Sequence, residues 1–288
     1  MSYGIEGRRE DMPIPMIKKA IDDINKGKIK KPNCIWLETS GCFGEIISLL
    51  DGEDPDLIYF LNQMVNLTFF NSIMADQGET SYEQILNTLN EDKELIFIVS
   101  GAIPLREECA IVARYKGRKI SALEAINIIS PKSNYIIAMG TCGVYGGPTA
   151  ARPNVSNAVP LSQALNNENV INVPGCPAHP IWMLGTIGYV LNFGKPPLDK
   201  EKRPIAFFGT TIHDNCPRRS YFDNEVFATK FGQKECMFYL GCRGPITRTQ
   251  CPINRWNESD NWPIGNNTTC IGCARKGFPD EMEPFVRY

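Results

Sequence analysis

Between residues 33 and about 190, short apolar runs alternate along the chain with stretches of helical periodicity. The runs are Cys34–Leu37, Val65–Phe70, Leu95–Val99, Tyr135–Met139 and Val170–Val173. They are apolar nearly throughout, rather than at every second position, as strands covered on both faces are. Between and after them the pattern predicts helices over roughly Pro55–Met64, Ser81–Asn90, Ala122–Ile129 and Ile181–Phe193. Thr80 or Ser81 is placed to cap the second, and Gly194 with Pro196 to end the last. The alternation predicts an α/β fold built on a doubly wound, flavodoxin-like parallel sheet.

The pattern changes after Gly194. Residues 194–204 are proline-rich and charged, the composition of a domain boundary. One further apolar run, Ile205–Phe208, reads as a strand, and a helix is expected near Arg218–Phe231. Residues 236–288 are rich in Gly, Pro, Asn and Cys, with too little regular apolar surface to form a core alone. Metal binding can supply the missing folding free energy. Two domains are therefore expected, 1–195 and a smaller, irregular 196–288.

Composition changes the picture of function more than that of fold. Thirty Lys and Arg against 32 Asp and Glu give a net charge of −2, with no basic footprint for nucleic acid. No apolar run approaches the ~20 residues of a membrane helix. The Arg-Arg pair near the start is followed by no apolar stretch, so no secretory or twin-arginine signal is read there. These signs predict a cytoplasmic protein, peripheral to a membrane only through a partner. In a reducing compartment eleven cysteines, an odd number, read as metal-binding or catalytic rather than disulfide-bonded.

Nine of the eleven are expected in loops, and six crowd with one histidine into the last quarter: His213-x2-Cys216-x19-Cys236-x5-Cys242-x8-Cys251-x18-Cys270-x2-Cys273. Thiolate sulfur selects iron–sulfur clusters, zinc or cuprous copper. One zinc site would use four of these seven ligands and leave three idle. Two iron–sulfur clusters, one with four ligands and one with three, use them all. Cys42, Cys142 and Cys176 each follow an expected strand in a glycine-rich loop, so they gather at one edge of a parallel sheet. Glycine lets backbone close around a bulky inorganic core, and its N–H groups can bond to sulfide. Cys34 and Cys109 read as structural. His179 reads as a capped loop residue, with a hydrogen-bonding role beside a site as the alternative; Trp256, Trp262 and Pro263 read as packing around a loop.

The ordered set resembles the small, electron-transferring subunit of nickel–iron hydrogenases over almost the whole chain after residue 33. The resemblance rests on Trp36-Leu37 with Cys42, the Gly101–Pro104 turn, Gly140-Thr-Cys142 with Gly146-Gly147, and Pro174-Gly-Cys176-Pro177. It continues through His213-x2-Cys216, Cys236-x5-Cys242, Cys251-Pro252, Asn261-Trp-Pro263 and Cys270-x-Gly-Cys273. It implies that Cys42, Cys142 and Cys176 hold a proximal 4Fe-4S cluster, nearest the catalytic metals. It implies a distal 4Fe-4S cluster on His213, Cys216, Cys236 and Cys242, with the histidine marking the electron exit. Cys251, Cys270 and Cys273 would hold a medial cluster, of the 3Fe-4S type because Pro263 stands where a fourth ligand would be. The departure is Glu45, where the family usually has the second cysteine of Cys-x2-Cys. Glu45 is expected as the fourth proximal ligand, a harder donor than thiolate; the alternative is a 3Fe-4S proximal cluster with Glu45 as a nearby charge.

The resemblance also implies a large partner subunit that splits dihydrogen at a nickel–iron centre, since no nickel-site motif is found here. An acceptor protein or quinone-linked partner would take the electrons, and the assembly would be a dimer of heterodimers or larger. Three other readings remain: a hydrogen sensor that binds a regulatory kinase, a zinc-stapled interaction module, and a respiratory quinone reductase subunit. The last lacks a carboxyl-terminal cluster region.

Overall fold

Five parallel strands form the sheet: β1 (Asn33–Glu38), β2 (Asn66–Phe70), β3 (Leu95–Ser100), β4 (Tyr135–Met139) and β5 (Ile171–Val173). Their order is β2-β1-β3-β4-β5, all neighbours parallel. This is the flavodoxin-like order, in which the direction of winding reverses between β1 and β3 and opens a crevice beyond their carboxyl ends. The computed structural model describes residues 13–167, 169–256 and 261–280; the opening residues with the Arg-Arg pair lie outside them.

β1 and β3 are buried along their whole length, which is why they read as unbroken apolar runs. Alternate residues serve opposite faces. Ile35, Leu37, Phe97 and Val99 face α3 (Gly78–Asn90) and α4 (Ala122–Ile129). Cys34, Trp36, Ile96 and Ile98 join the other cluster, with α1 (Pro13–Asn25), α2 (Gly44–Leu50) and α6 (Pro180–Phe193). Trp36 stacks on Phe70 at 4.7 Å and donates its indole N–H to Ser100 Oγ at 3.0 Å. The second cluster continues into the carboxyl-terminal segment through Phe207, Phe208, Ile212, Met237, Trp262 and Cys270.

Several elements depart from expectation for physical reasons. Ile205–Phe208 is a single helical turn, because the carbonyl of Pro204 accepts from the N–H groups of Phe207 and Phe208 at 3.1 and 3.0 Å. Four apolar residues carry no period that could distinguish helix from strand. The helix expected near Arg218–Phe231 spans only Arg219–Asp223, and Glu225 beyond it takes a left-handed φ of 58°. α3 begins at Gly78, and Ser81 Oγ donates to the Gly78 carbonyl instead of capping the helix. The stretch near Pro55–Met64 is a short turn, Leu57–Tyr59, continued by a π turn over Phe60–Met64. α6 ends at Gly194, φ 74°, as its sequence foretells. Helix α1 and the hairpin Ile111–Tyr115/Arg118–Ser121 were not anticipated. Among the described residues no helix is long and apolar enough to cross a membrane.

Candidate metal centres

The carboxyl ends of β1, β4 and β5 deliver Cys42, Cys142 and Cys176 to one region. Cys142 stands in a short helix, α5 (Gly140–Tyr145), rather than the loop expected of it. Its thiol lies 3.5 Å from the Thr149 hydroxyl, and Gly147 packs so closely that a Cβ there would come 3.1 Å from Sγ. Glu45, second residue of α2, is 8% exposed and belongs to the same group. Burial raises the Cys142 thiol, hydrogen bonds from Thr149 oppose the rise, and the charges of Glu45 and Cys42 add to it. It pushes Cys176 up to about 12, reinforced by Cys273, Cys142, Glu45 and Cys42.

Glu45 is a buried carboxylate without a cation. Burial raises it to about 7; the charged group felt there is Glu38, which raises it further, while backbone hydrogen bonds at Glu45 and Ala178 oppose the rise. Its Oε1 packs on Gly140, φ 77°, where any Cβ would overlap it. Only glycine accommodates both that φ and that approach.

Cys251, Cys270 and Cys273 line one cavity of about 130 Å³, together with Trp262 and Pro263. Cys251 opens a helical turn, Cys251–Asn254, rather than lying in a loop, and its sulfur is 3.1 Å from Thr249 Oγ1. Burial pushes Cys251 up to about 12 and raises Cys270 and Cys273. His213, Cys216, Cys236 and Cys242 line a second cavity of about 20 Å³. The His213 ring meets Phe222 edge-on at 4.5 Å, beneath an aromatic group that includes Phe227, Phe238 and the exposed Tyr239.

The three groups touch in sequence. Cys273 hydrogen-bonds with the Cys176 backbone, and Thr141 donates to the Cys273 carbonyl at 2.5 Å while accepting from Gly175 N–H at 3.1 Å. On the far side Cys270 feels the charge of Cys242, and Arg243 N–H donates to the Cys270 carbonyl at 2.8 Å. A local device recurs across all three: the N–H two residues on faces the sulfur, from Gly44 to Cys42 and from Gly272 to Cys270, both at 3.4 Å. Arg218 and Phe238 do the same for Cys216 and Cys236. Donors so placed favour thiolate over thiol.

The chemistry of this donor set fits iron–sulfur clusters. Among the described residues no three His, Cys, Asp or Glu side chains close on a point that a single metal ion would occupy. The donors instead surround spaces from several sides. The Trp262 indole N–H, buried in the wall of the Cys251, Cys270 and Cys273 cavity, has no partner among the described residues; an unmade bond of that kind costs about 1–3 kcal/mol.

Cys34 lies in the core of β1, and Cys109 is exposed on a 3-10 turn; neither lines these cavities. His179 caps α6, its Nδ1 accepting from Ile181 N–H at 3.1 Å, which leaves Nε2–H to donate to the Asn254 carbonyl at 3.1 Å. Thr141, Thr149 and Thr249 were not singled out from sequence; their only signal was a hydroxyl within a few residues of a ligand cysteine.

Two family models divide the chain. The model of the NADH ubiquinone oxidoreductase 20 Kd subunit matches residues 42–190, and the C-terminal model of the NiFe/NiFeSe hydrogenase small subunit matches 208–286. The periplasmic NiFeSe hydrogenase small subunit of Desulfomicrobium baculatum is 36% identical, over 89% of this chain and 87% of that protein. The periplasmic NiFe hydrogenase small subunit 1 of Nitratidesulfovibrio vulgaris is 35% identical, over 89% and 82%. A solved reduced, active Ni-Fe-Se hydrogenase of D. baculatum superposes with a TM-score of 0.83, over 89% of this chain and 98% of that one. These relatives overturn the cytoplasmic expectation, since both are named periplasmic. That expectation rested on reading no secretory signal beside the Arg-Arg pair, and a signal left unread says nothing of the compartment.

Proposed function

The chain belongs to the small subunits of the nickel–iron hydrogenases, and on that premise we propose that it relays single electrons from dihydrogen oxidation through three iron–sulfur clusters to an acceptor. Small subunits of this family pair with a large subunit, and dihydrogen would be split there. Clusters held at the three sites would supply one-electron redox chemistry at potentials set by ligand type, burial and hydrogen bonds to sulfur.

The observation that carries this reading is the chain of adjoining donor groups: Cys42, Cys142 and Cys176, then Cys251, Cys270 and Cys273, then His213, Cys216, Cys236 and Cys242. Each pair of neighbouring groups is tied by backbone, at Cys176–Cys273 and at Arg243–Cys270. The protein's work is placement and tuning, because these side chains keep donors fixed on short turns packed into the core. Pro263 has no donor atom, so three cysteines suit a 3Fe-4S medial cluster, and four donors with His213 a 4Fe-4S distal one. Glu45 is the fourth proximal donor: iron would be the missing positive partner of its buried carboxylate, making a 4Fe-4S cluster with one oxygen ligand.

Anaerobic isolation with the large subunit, followed by iron and sulfide counting and hydrogen-dependent dye reduction, tests the proposal. Eleven iron atoms per small subunit beyond the nickel–iron centre, with dye reduced under hydrogen, is the expected result. A colourless complex free of labile sulfide would end it.

A further inference from the structure

At the medial site the indole N–H of Trp262 has no acceptor among the described residues. The ring is 2% exposed and lines the cavity with Cys251, Cys270 and Cys273. Two other tryptophans reach the same cavity, and their donors are engaged. Trp182 Nε1 donates to Asn254 Oδ1 at 2.9 Å, and the Trp256 side chain hydrogen-bonds with the Cys251 thiol. Gly265 lies against the Trp262 donor edge, where a Cβ would come 2.9 Å from Nε1. A donor this deeply buried is ordinarily satisfied, and the acceptors this cavity is built to hold are sulfur atoms.

We propose that Trp262 donates its indole N–H to a sulfur of the medial cluster and thereby raises that cluster's reduction potential. The inference rests on the medial-cluster reading above. Reduction adds negative charge to the cluster, and a hydrogen bond to sulfur stabilises the more negative state. Trp262 is then a positioning and tuning residue for the relay.

The test uses the anaerobically isolated complex with its large subunit, grown on tryptophan labelled with nitrogen-15 in the indole. Pulsed electron–nuclear spectroscopy on the medial cluster signal, with potentiometric titration, is compared for wild type, Trp256→Phe and Trp262→Phe. One nitrogen-15 coupling with its exchangeable proton that survives Trp256→Phe and vanishes in Trp262→Phe, with a lower medial potential in Trp262→Phe, supports the proposal. A coupling absent from Trp256→Phe, or a medial potential unmoved in a loaded Trp262→Phe, overturns it. Should Trp262→Phe fail to load the cluster, the Trp256→Phe spectrum decides alone, since Trp182 is held by Asn254. Wild-type complex without iron would instead defeat the cluster reading itself, a different failure.

Discussion

At the scale of single residues, the most unusual feature is a carboxylate placed where its surroundings do nothing to neutralise it. Glu45 is buried beside Cys42, Cys142 and Cys176, and the charge acting on it among the described residues is another acid, Glu38. An isolated carboxylate is costly to bury. Substituting Glu45→Ala is therefore expected to change the proximal cluster's iron stoichiometry and paramagnetic signal, while Glu45→Cys restores a four-iron count with a different potential. Identical spectra for wild type and Glu45→Ala would show that the carboxylate does not bind iron. Gly140→Ala probes the same contact from the other side. The positive φ of 77° costs an alanine about 1–2 kcal/mol, and overlap with Glu45 Oε1 adds roughly 1–3 kcal/mol. In the Glu45→Ala background only the first penalty should remain, so urea midpoints of the two singles and the double are expected to be non-additive. Additive losses would mean that the carboxylate simply swings away.

At the scale of elements, α6 shows how one cap ties the sheet domain to a ligand turn. His179 caps the helix, and with Trp182 it grips Asn254, three residues beyond Cys251. Burial pushes the His179 imidazole down to about 4, with the hydrogen bond to Asn254 opposing it. The unfolded chain thus binds a proton that the folded one refuses between about pH 6.5 and 4. The stabilisation is present above that window and lost as pH falls through it, by roughly 3 kcal/mol at full extent. His179→Asn keeps a capping oxygen and removes the titration. Its stability is expected to lie below wild type at pH 7 and to fall less steeply toward pH 4.5; parallel profiles would refute the assignment. Elements of this size were legible in the sequence where burial is two-sided or caps are explicit, as in β1, β3, α4 and the Gly194 end of α6. Ile205–Phe208 was misread because four residues have no period. α1 was missed although Ile17, Ala20, Ile21 and Ile24 carry helical spacing; it packs on α6, where Gly188 would bring a Cβ to 3.0 Å from Ile17. The gathering of the cysteines into groups was legible because spacing survives in sequence. The threonines and the indole beside them were not, since a hydrogen bond to sulfur needs no fixed spacing.

Across the whole molecule, the two segments on either side of residues 194–204 share one buried cluster, running from Ile17 through Trp182 to Ile264 and Cys270. The segment after residue 209 contributes to that cluster chiefly from short turns, its described helices being no longer than the five residues of Arg219–Asp223. Regular hydrogen bonding therefore holds little of it in place. Its order rests instead on side chains converging around the two cavities, where burial raises the thiols of Cys216, Cys236, Cys251, Cys270 and Cys273; on the proposed reading metal would displace their protons. Removing iron anaerobically with a chelator should consequently act unevenly. Residues 209–280 are expected to lose protection from protease and from hydrogen exchange first. β1, β3 and β4, paired along their length and covered on both faces, should stay protected. Mass spectrometry of nicked fragments distinguishes the outcomes, because cleavage beginning between β2 and β3, or equal loss across the chain, would show that the clusters are passengers in a fold that stands without them.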